Sequence, residues 1–302
     1  MPSAEIEWVK KYWDGLAAAE QPKSMQAMRL LDDHWATLTA EPADVDYRHE
    51  VVGGVRCLWA EPKGGLADRV LLCFHGGGYM MGSPYSHRKL YGHLAAVVGC
   101  RALLVGYRLT PENPFPAQID DAASAYRGLL AAGIDGSKIA LVGDSAGGGL
   151  ALALALRTRD ERLPAPAAVM GMSAWTDMSL LGASYDTNRE TDRVFRKEMV
   201  GGLVAMLLGP DGDRTNPYAS PLHGNLAGLP PVFLQAGGDE AILDDSVSFA
   251  AKAREEGVDV RLDVFPGLLH TFQMAAGRAP EADDALGRLA DWVRPRLGIM
   301  NV

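Results

Sequence analysis

Gly143-Asp144-Ser145-Ala146-Gly147 stands between an apolar strand-like run (KIALV, 138–142) and a helix-like run rich in alanine and leucine (AGGGLALALAL, 146–156). A chain that passes from strand to helix in so few residues leaves no room for side chains at the two flanking glycines. The serine between them is set on a strained turn, with its hydroxyl exposed above the edge of a sheet. The alternative is a simple glycine-rich turn, and the strand before it and helix after it weigh against that. A strand feeding directly into a helix calls for alternating layers of both.

The rest of the chain supplies those layers. Residues 45–52 and 55–60 read as two strands joined at Gly53-Gly54, a hairpin signal. After them apolar strands at 69–74, 102–107, 138–142, 167–172, 232–235 and 260–265 alternate with helical stretches at 90–98, 119–130, 146–157, 246–256 and 281–297. This alternation predicts an α/β fold with a mostly parallel sheet and helices on both faces. Between Ser173 and Val232 there is no strand pattern, and Phe195, Met199, Leu203, Met206 and Leu207 fall on one helical face. We expect an insertion at about 176–213 that caps a site. Residues 1–45 read as helices, with Leu30, Leu31, His34, Trp35 and Leu38 at helical spacing after Trp8, Tyr12 and Leu16, and are expected to belong to the same cap. Residues 46–302 then form the catalytic domain.

Composition narrows the partners. Hydrophobic residues make up 48% and charged residues 22%, the proportions of a globular chain. The formal charge is −9, from 29 basic and 38 acidic residues, which argues against a nucleic-acid partner. No apolar run approaches the ~20 residues of a membrane span, and the N-terminus lacks the apolar core of a signal peptide. Cys57, Cys73 and Cys100 are sparse and lack metal-like spacing, so they read as buried thiols in a reducing compartment. A cytoplasmic protein without metal or cofactor is expected, and the reading allows a homodimer.

Three further segments carry chemistry. His75-Gly76-Gly77-Gly78 follows the strand VLLCF, and its glycines let backbone N–H groups approach a ligand. Together with the N–H of Ala146 they make an oxyanion hole; a phosphate cradle would want a lysine or an immediate helix, and Tyr79-Met80-Met81 follows instead. A serine nucleophile needs a base, and the base needs an acid to orient it. Only His223 and His270 follow Ser145; His270 lies just past the strand VRLDVF, whereas His223 sits in a polar turn. His75 reads as structural, holding the glycine loop. For the acid, Asp239 follows the strand PVFLQAG and is preferred to Glu240, Asp244 and Asp245 by its placement at a strand end.

HGGGY (75–79), YRLTPENPFPAQIDDA (107–122), GDSAGG (143–148), NPYASPL (216–222) and GGDEAILDD (237–245) together resemble the bacterial hormone-sensitive-lipase-like esterases, α/β-hydrolases with a helical cap. The resemblance runs from about residue 45 to the C-terminus. It implies a triad of Ser145, Asp239 and His270, with oxyanion donors at Gly77, Gly78 and Ala146. The sequence departs from the family pattern at Gly106, where Asp is frequent, at Gly149, where Asn is common, and in the longer DEAILDD, which looks like that of some lactone hydrolases. The expected substrate is a small-molecule carboxylic ester of short to medium chain, with Tyr79, Met199 and Leu203 expected to contact it. The alternatives are a lactone hydrolase with the same machinery and, from another class, a non-catalytic ligand-binding protein on the same fold.

Overall fold

The computed structural model describes residues 2–18, 24–192 and 194–300. Its centre is one eight-stranded sheet: β1 (Val45–Val52), β2 (Val55–Pro62), β3 (Leu66–Phe74), β4 (Cys100–Val105), β5 (Ile139–Asp144), β6 (Ala168–Met172), β7 (Val232–Gly237) and β8 (Val260–Phe265), in the order β1-β2-β4-β3-β5-β6-β7-β8. β1, β2 and β4 pair antiparallel, and from β4 to β8 every pairing is parallel. Val52 faces Val55 across the Gly53-Gly54 turn, as the hairpin signal predicts.

The helices are α1 (Ala4–Ala18), α2 (Met25–Asp32), α3 (Pro84–Val98), α4 (Ala117–Ala131), α5 (Ala146–Asp160), α6 (Ser184–Thr187), α7 (Lys197–Leu208), α8 (Leu243–Glu255) and α9 (Pro280–Arg296). Successive strand residues face opposite ways, so each parallel strand feeds two cores. Val70, Leu72, Phe74 and Leu141 join α4, α5 and α8 in one. Leu71, Cys73, Ala140 and Val142 join α3, α9 and the N-terminal residues Ile6, Val9 and Trp13 in the other. A strand buried on both faces shows a continuous apolar run rather than an alternating one. The three cysteines are free and buried, and burial pushes the Cys57 thiol up to about 12.

The insertion between β6 and β7 carries α6 and α7. The buried face of α7 is Val200, Leu203, Val204 and Leu207, packed with Tyr79 and Met80 in the first core. Burying each such side chain contributes about 1.5–3 kcal/mol. This face is rotated from the expected stripe: Met199 and Met206 remain 39% and 41% exposed, and Phe195 precedes the helix. Val200 and Val204 take inward positions that the stripe assigns to Met199 and Met206, because the packing against Tyr79 and Met80 selects that side of the helix. Trp13 and Trp35 meet edge-on, 4.6 Å between centroids, in the other core, whereas α7 packs in the first. Phe195 touches both. The side chains of Leu16 and Leu31 lie outside the described residues.

Arg29 of α2 ties that helix to the loops after β3 and β4. Its Nε donates to the Met80 carbonyl (2.8 Å), Nη2 donates to the Thr110 carbonyl (3.0 Å), and both Nη atoms reach the Glu112 carboxylate. Within the long motif at 107–122, Arg108 forks on to Asp121, and the Arg108 N–H donates to the same carboxylate at 2.8 Å. That segment is therefore closed on itself, beneath the N-terminal helices. Among the described residues no helix is long and apolar enough to cross a membrane.

Candidate active site

Ser145 sits between the end of β5 and the first residue of α5 with φ 53°, a conformation a side chain adopts only when its surroundings impose it. The flanking glycines do so. A Cβ on Gly143 would lie 2.1 Å from the Gly147 carbonyl oxygen, and one on Gly147 would lie 2.0 Å from that of Phe74. Only glycine allows β5, α5 and the end of β3 to come this close.

The loop after β3 turns alongside. Gly77 has φ 105° and closes on Met81: its carbonyl accepts from the Met80 and Met81 N–H groups, and a Cβ there would meet the Met81 carbonyl oxygen at 2.4 Å. The N–H groups of Gly77 and Gly78 have no acceptor among the described residues, and the Ala146 N–H heads α5, where helical N–H groups lack internal partners. The Ala146 N–H stands at a helix N-terminus, a place that favours negative charge. Tyr79 follows with φ 64°, buried, its ring tilted against Trp175 and edge-on to Tyr107. Leu203 of α7 lies directly over Gly78, where an added Cβ would be 2.9 Å from its methyl. Met199 is on the more exposed side of α7, 39% exposed.

His270 lies in the loop after β8, buried. Its Nδ1 is 2.7 Å from Glu240 Oε2, and its Nε2 is buried with no hydrogen-bond partner among the described residues, Ser145 Oγ included. Catalytic hydrogen bonds are often loose without substrate and tighten on binding. The main chain brings serine and histidine to the same strand end: the Ser145 N–H donates to the Met172 carbonyl (2.9 Å), and the next residue's Ser173 Oγ accepts from the Thr271 N–H (3.0 Å).

The carboxylate that reaches His270 is that of Glu240, and this corrects the expected Asp239. The chain leaves β7 in a tight turn, with the Glu240 N–H returning to the Gly237 carbonyl. That turn folds the fourth residue back over the strand. Glu240 is fully buried, and its other oxygen, Oε1, accepts from the Gly237 N–H at 3.1 Å. Asp239 is half-buried one position earlier, its N–H on the Leu268 carbonyl. An extended turn would send the two side chains opposite ways with Asp239 inward; the closed turn reverses them. Asp244 and Asp245 brace the insertion instead. Asp244 accepts from the Ser184 N–H (2.9 Å), and Asp245 Oδ2 accepts from the Thr176 and Asp177 N–H groups. Burial drives the Asp245 carboxyl well above the usual range. His223 pairs with Asp177 at 2.8 Å, half-buried, remote in role from the site.

Behind the serine lies a polar cluster that no spacing argument revealed. Asp144 Oδ1 accepts from the Gly76 N–H (3.1 Å) and the Tyr91 hydroxyl (2.8 Å), and Oδ2 faces His87 Nε2 at 3.2 Å. Burial alone would raise the Asp144 carboxyl, but His87 and the Tyr91 hydrogen bond outweigh it and hold it below its ordinary value. The second residue of GDSAG thus fastens the glycine loop to the Ser145 turn. His75 completes the fastening, with Nδ1 on the Gly76 carbonyl at 2.8 Å and its ring stacked on Tyr107 at 4.2 Å.

Burial, with a smaller push from His87, lowers His75 from 6.5 to about 3. The unfolded chain therefore binds a proton that the folded chain refuses between those values, and stability is lost as pH falls from 6.5 towards 3, by up to about 1.4 kcal/mol per pH unit. His75→Asn keeps an N–H donor near the Nδ1 position and removes the titration. Urea unfolding at pH 6.5, 5.5 and 4.5 is expected to show a shallower fall in unfolding free energy for this variant than for the wild type. Equal slopes would show that His75 does not carry the acid sensitivity.

Known proteins share this fold. A family model described as the alpha/beta hydrolase fold matches residues 71–274. An acetyl-hydrolase of Streptomyces hygroscopicus is 33% identical over 302 residues, covering 99% of this chain and 99% of the relative. An ethyl acetate hydrolase of Pseudomonas putida is 34% identical over 77% of this chain and 74% of its own length. A crystal structure of an esterase from the bacterial hormone-sensitive lipase family superposes with a TM-score of 0.95 at 38% identity, covering 99% of this chain and all of that one (100%).

Proposed function

Since the chain belongs to the α/β-hydrolase family, among the bacterial hormone-sensitive-lipase-type esterases, and is a carboxylic ester hydrolase, we propose that Ser145 is its nucleophile, His270 its base and Glu240 the acid that orients the base. The observation that carries this reading is the 2.7 Å contact between Glu240 Oε2 and His270 Nδ1, which leaves His270 Nε2 buried and unspent. With the proton held on Nδ1 by Glu240, the Nε2 lone pair takes the Ser145 proton as Oγ attacks the ester carbonyl. Negative charge on the carbonyl oxygen is met by the N–H groups of Gly77, Gly78 and Ala146; one such donor typically supplies ~10²–10³ in rate. His270 then protonates the leaving alcohol, and water releases the acyl group by the same path.

We read α1, α2 and the insertion as the cap over this site. Trp13 of α1 and Asp192, Val194 and Phe195 of the insertion gather around His270, and Leu203 of α7 lies over Gly78. Walls drawn from both segments leave a pocket of finite depth. Each buried CH₂ contributes ~0.8 kcal/mol only until the depth is used up. The preferred substrates are therefore esters of short acyl chains. Across 4-nitrophenyl esters of increasing length, kcat/KM is expected to rise over the shortest acyl groups and peak at or below about eight carbons, a bound taken from the size of ordinary ligand pockets. Faster turnover of emulsified long-chain triglyceride than of soluble short esters would refute the closed cap.

A further inference from the structure

The loop that carries Glu240 is held from two sides, and the two sides are different parts of the chain. From the sheet side come the N–H contacts: Gly238 to the Phe265 carbonyl (2.8 Å), Asp239 to that of Leu268 (3.0 Å) and Glu240 to that of Gly237 (3.4 Å). The other side belongs to the insertion. Asn188 Nδ2 donates to the carbonyls of Gly238 (3.0 Å) and Glu240 (2.9 Å), Thr191 Oγ1 to that of Asp239 (3.1 Å), and Ser184 Oγ to that of Ala241 (2.7 Å). All four consecutive carbonyls of the loop thus accept from insertion side chains.

Asp192 closes the arrangement. It is buried, 3% exposed, and its Oδ2 accepts from the Ala241 N–H at 2.7 Å, one residue past Glu240. Its Oδ1 accepts from the N–H groups of Val194 (2.9 Å) and Phe195 (2.8 Å). Phe195 in turn sets its ring edge-on to the His270 imidazole, 4.4 Å between centroids. One carboxylate therefore fixes both the main chain next to the acid and the aromatic wall against the base. A buried carboxylate with three amide donors is a rigid junction, because each N–H would be stranded without it.

We propose that Asp192 and Asn188 are positioning residues for the Glu240–His270 pair, so that the insertion sets the turnover rate as well as enclosing substrate. The proposal rests on the acid–base reading given above. Misplacing a catalytic group by about 1 Å can cost ~10²-fold in rate, so residues that never touch substrate can govern kcat. A wall that only bounds the pocket acts on KM and on chain-length preference instead.

The test compares Asp192→Asn, Asn188→Ala, Glu240→Gln and the double variant Asp192→Asn/Glu240→Gln in the full-length protein, with 4-nitrophenyl acetate as substrate. Whichever way the amide introduced by Asp192→Asn turns, its NH₂ faces N–H donors that the carboxylate had accepted. Asp192→Asn is expected to lower kcat by about 10²-fold with KM nearly unchanged, and Asn188→Ala to lower it in the same sense by less. In the Glu240→Gln background, Asp192→Asn is expected to cost little more, because residues that act as a unit are not additive. If Asp192→Asn does not fold, as thermal unfolding will show, Asn188→Ala carries the comparison, paired with Glu240→Gln in the same way. Normal kcat with altered KM in both single variants, while Glu240→Gln is inactive, overturns the positioning role and leaves the acid–base reading standing. Full activity in Glu240→Gln overturns both.

Discussion

Ser145→Ala is expected to lower kcat for 4-nitrophenyl acetate by roughly 10⁶-fold while leaving the thermal midpoint close to that of the wild type. The first half follows from chemistry, since no other group on the N-terminal turn of α5 has a proton to lose to His270. What remains is the catalysis that an oxyanion site supplies without a nucleophile, about 10³–10⁴ over water. The second half follows from the turn. Ser145 makes no side-chain cap to α5, and alanine has the same Cβ at φ 53°. Its main chain keeps its bonds to Met172, Gly149 and Trp175. Inactivation by an organophosphate should label Ser145 and no other serine. Retention of a tenth of the wild-type kcat would remove Ser145 from the nucleophile's role.

Glu240→Gln is expected to cut kcat by about 10⁴-fold with KM little changed, and Asp239→Asn to leave kcat near the wild-type value. Glutamine keeps an oxygen acceptor, but an NH₂ turned towards Nδ1 forces that nitrogen to accept. The proton then moves to Nε2, and the imidazole can no longer take one from serine. The neighbouring substitution is the control that separates the two carboxylates, which differ by a single position in the turn after β7. If Asp239→Asn proves the more damaging, the closed turn does not describe the working enzyme.

The departures from the family pattern find different fates. A Cβ at Gly149 would lie 2.1 Å from the Trp175 carbonyl oxygen, so the glycine matches the close approach of α5 to the loop after β6. A Cβ at Gly106 would lie 2.7 Å from the Arg56 carbonyl oxygen, with the Gly106 N–H bonded to that same atom. In the acidic segment, Glu240 faces His270, while Asp244 and Asp245 bind main-chain amides of the insertion. The extra acidic residues thus serve attachment of the insertion.

The alternation of strands and helices, the strained turn at Ser145, the glycine loop and the position of His270 after the last strand were legible in the sequence because each is local. A strand buried on both faces is an apolar run, a turn that admits no Cβ is a glycine, and His270 is the histidine that follows the last strand. What reaches across the fold was not legible. Whether Asp239 or Glu240 meets His270 depends on one turn closing through the Gly237 carbonyl, and adjacent acidic residues offer no periodicity to tell them apart. Which face of α7 turns inward is decided by what it packs against, Tyr79 and Met80 among them. His87 and Tyr91 are one turn apart on α3 but far from Asp144 in the chain, and the three become a cluster only when β3, α3 and β5 pack together. Asp192 and Asn188 read as ordinary polar residues in a region without pattern, and only packing against the loop after β7 gives their hydrogen bonds a destination. Local backbone constraints are written in residue type; the partners of buried polar groups are chosen by tertiary packing, since burial makes each group take the partner the fold brings to it.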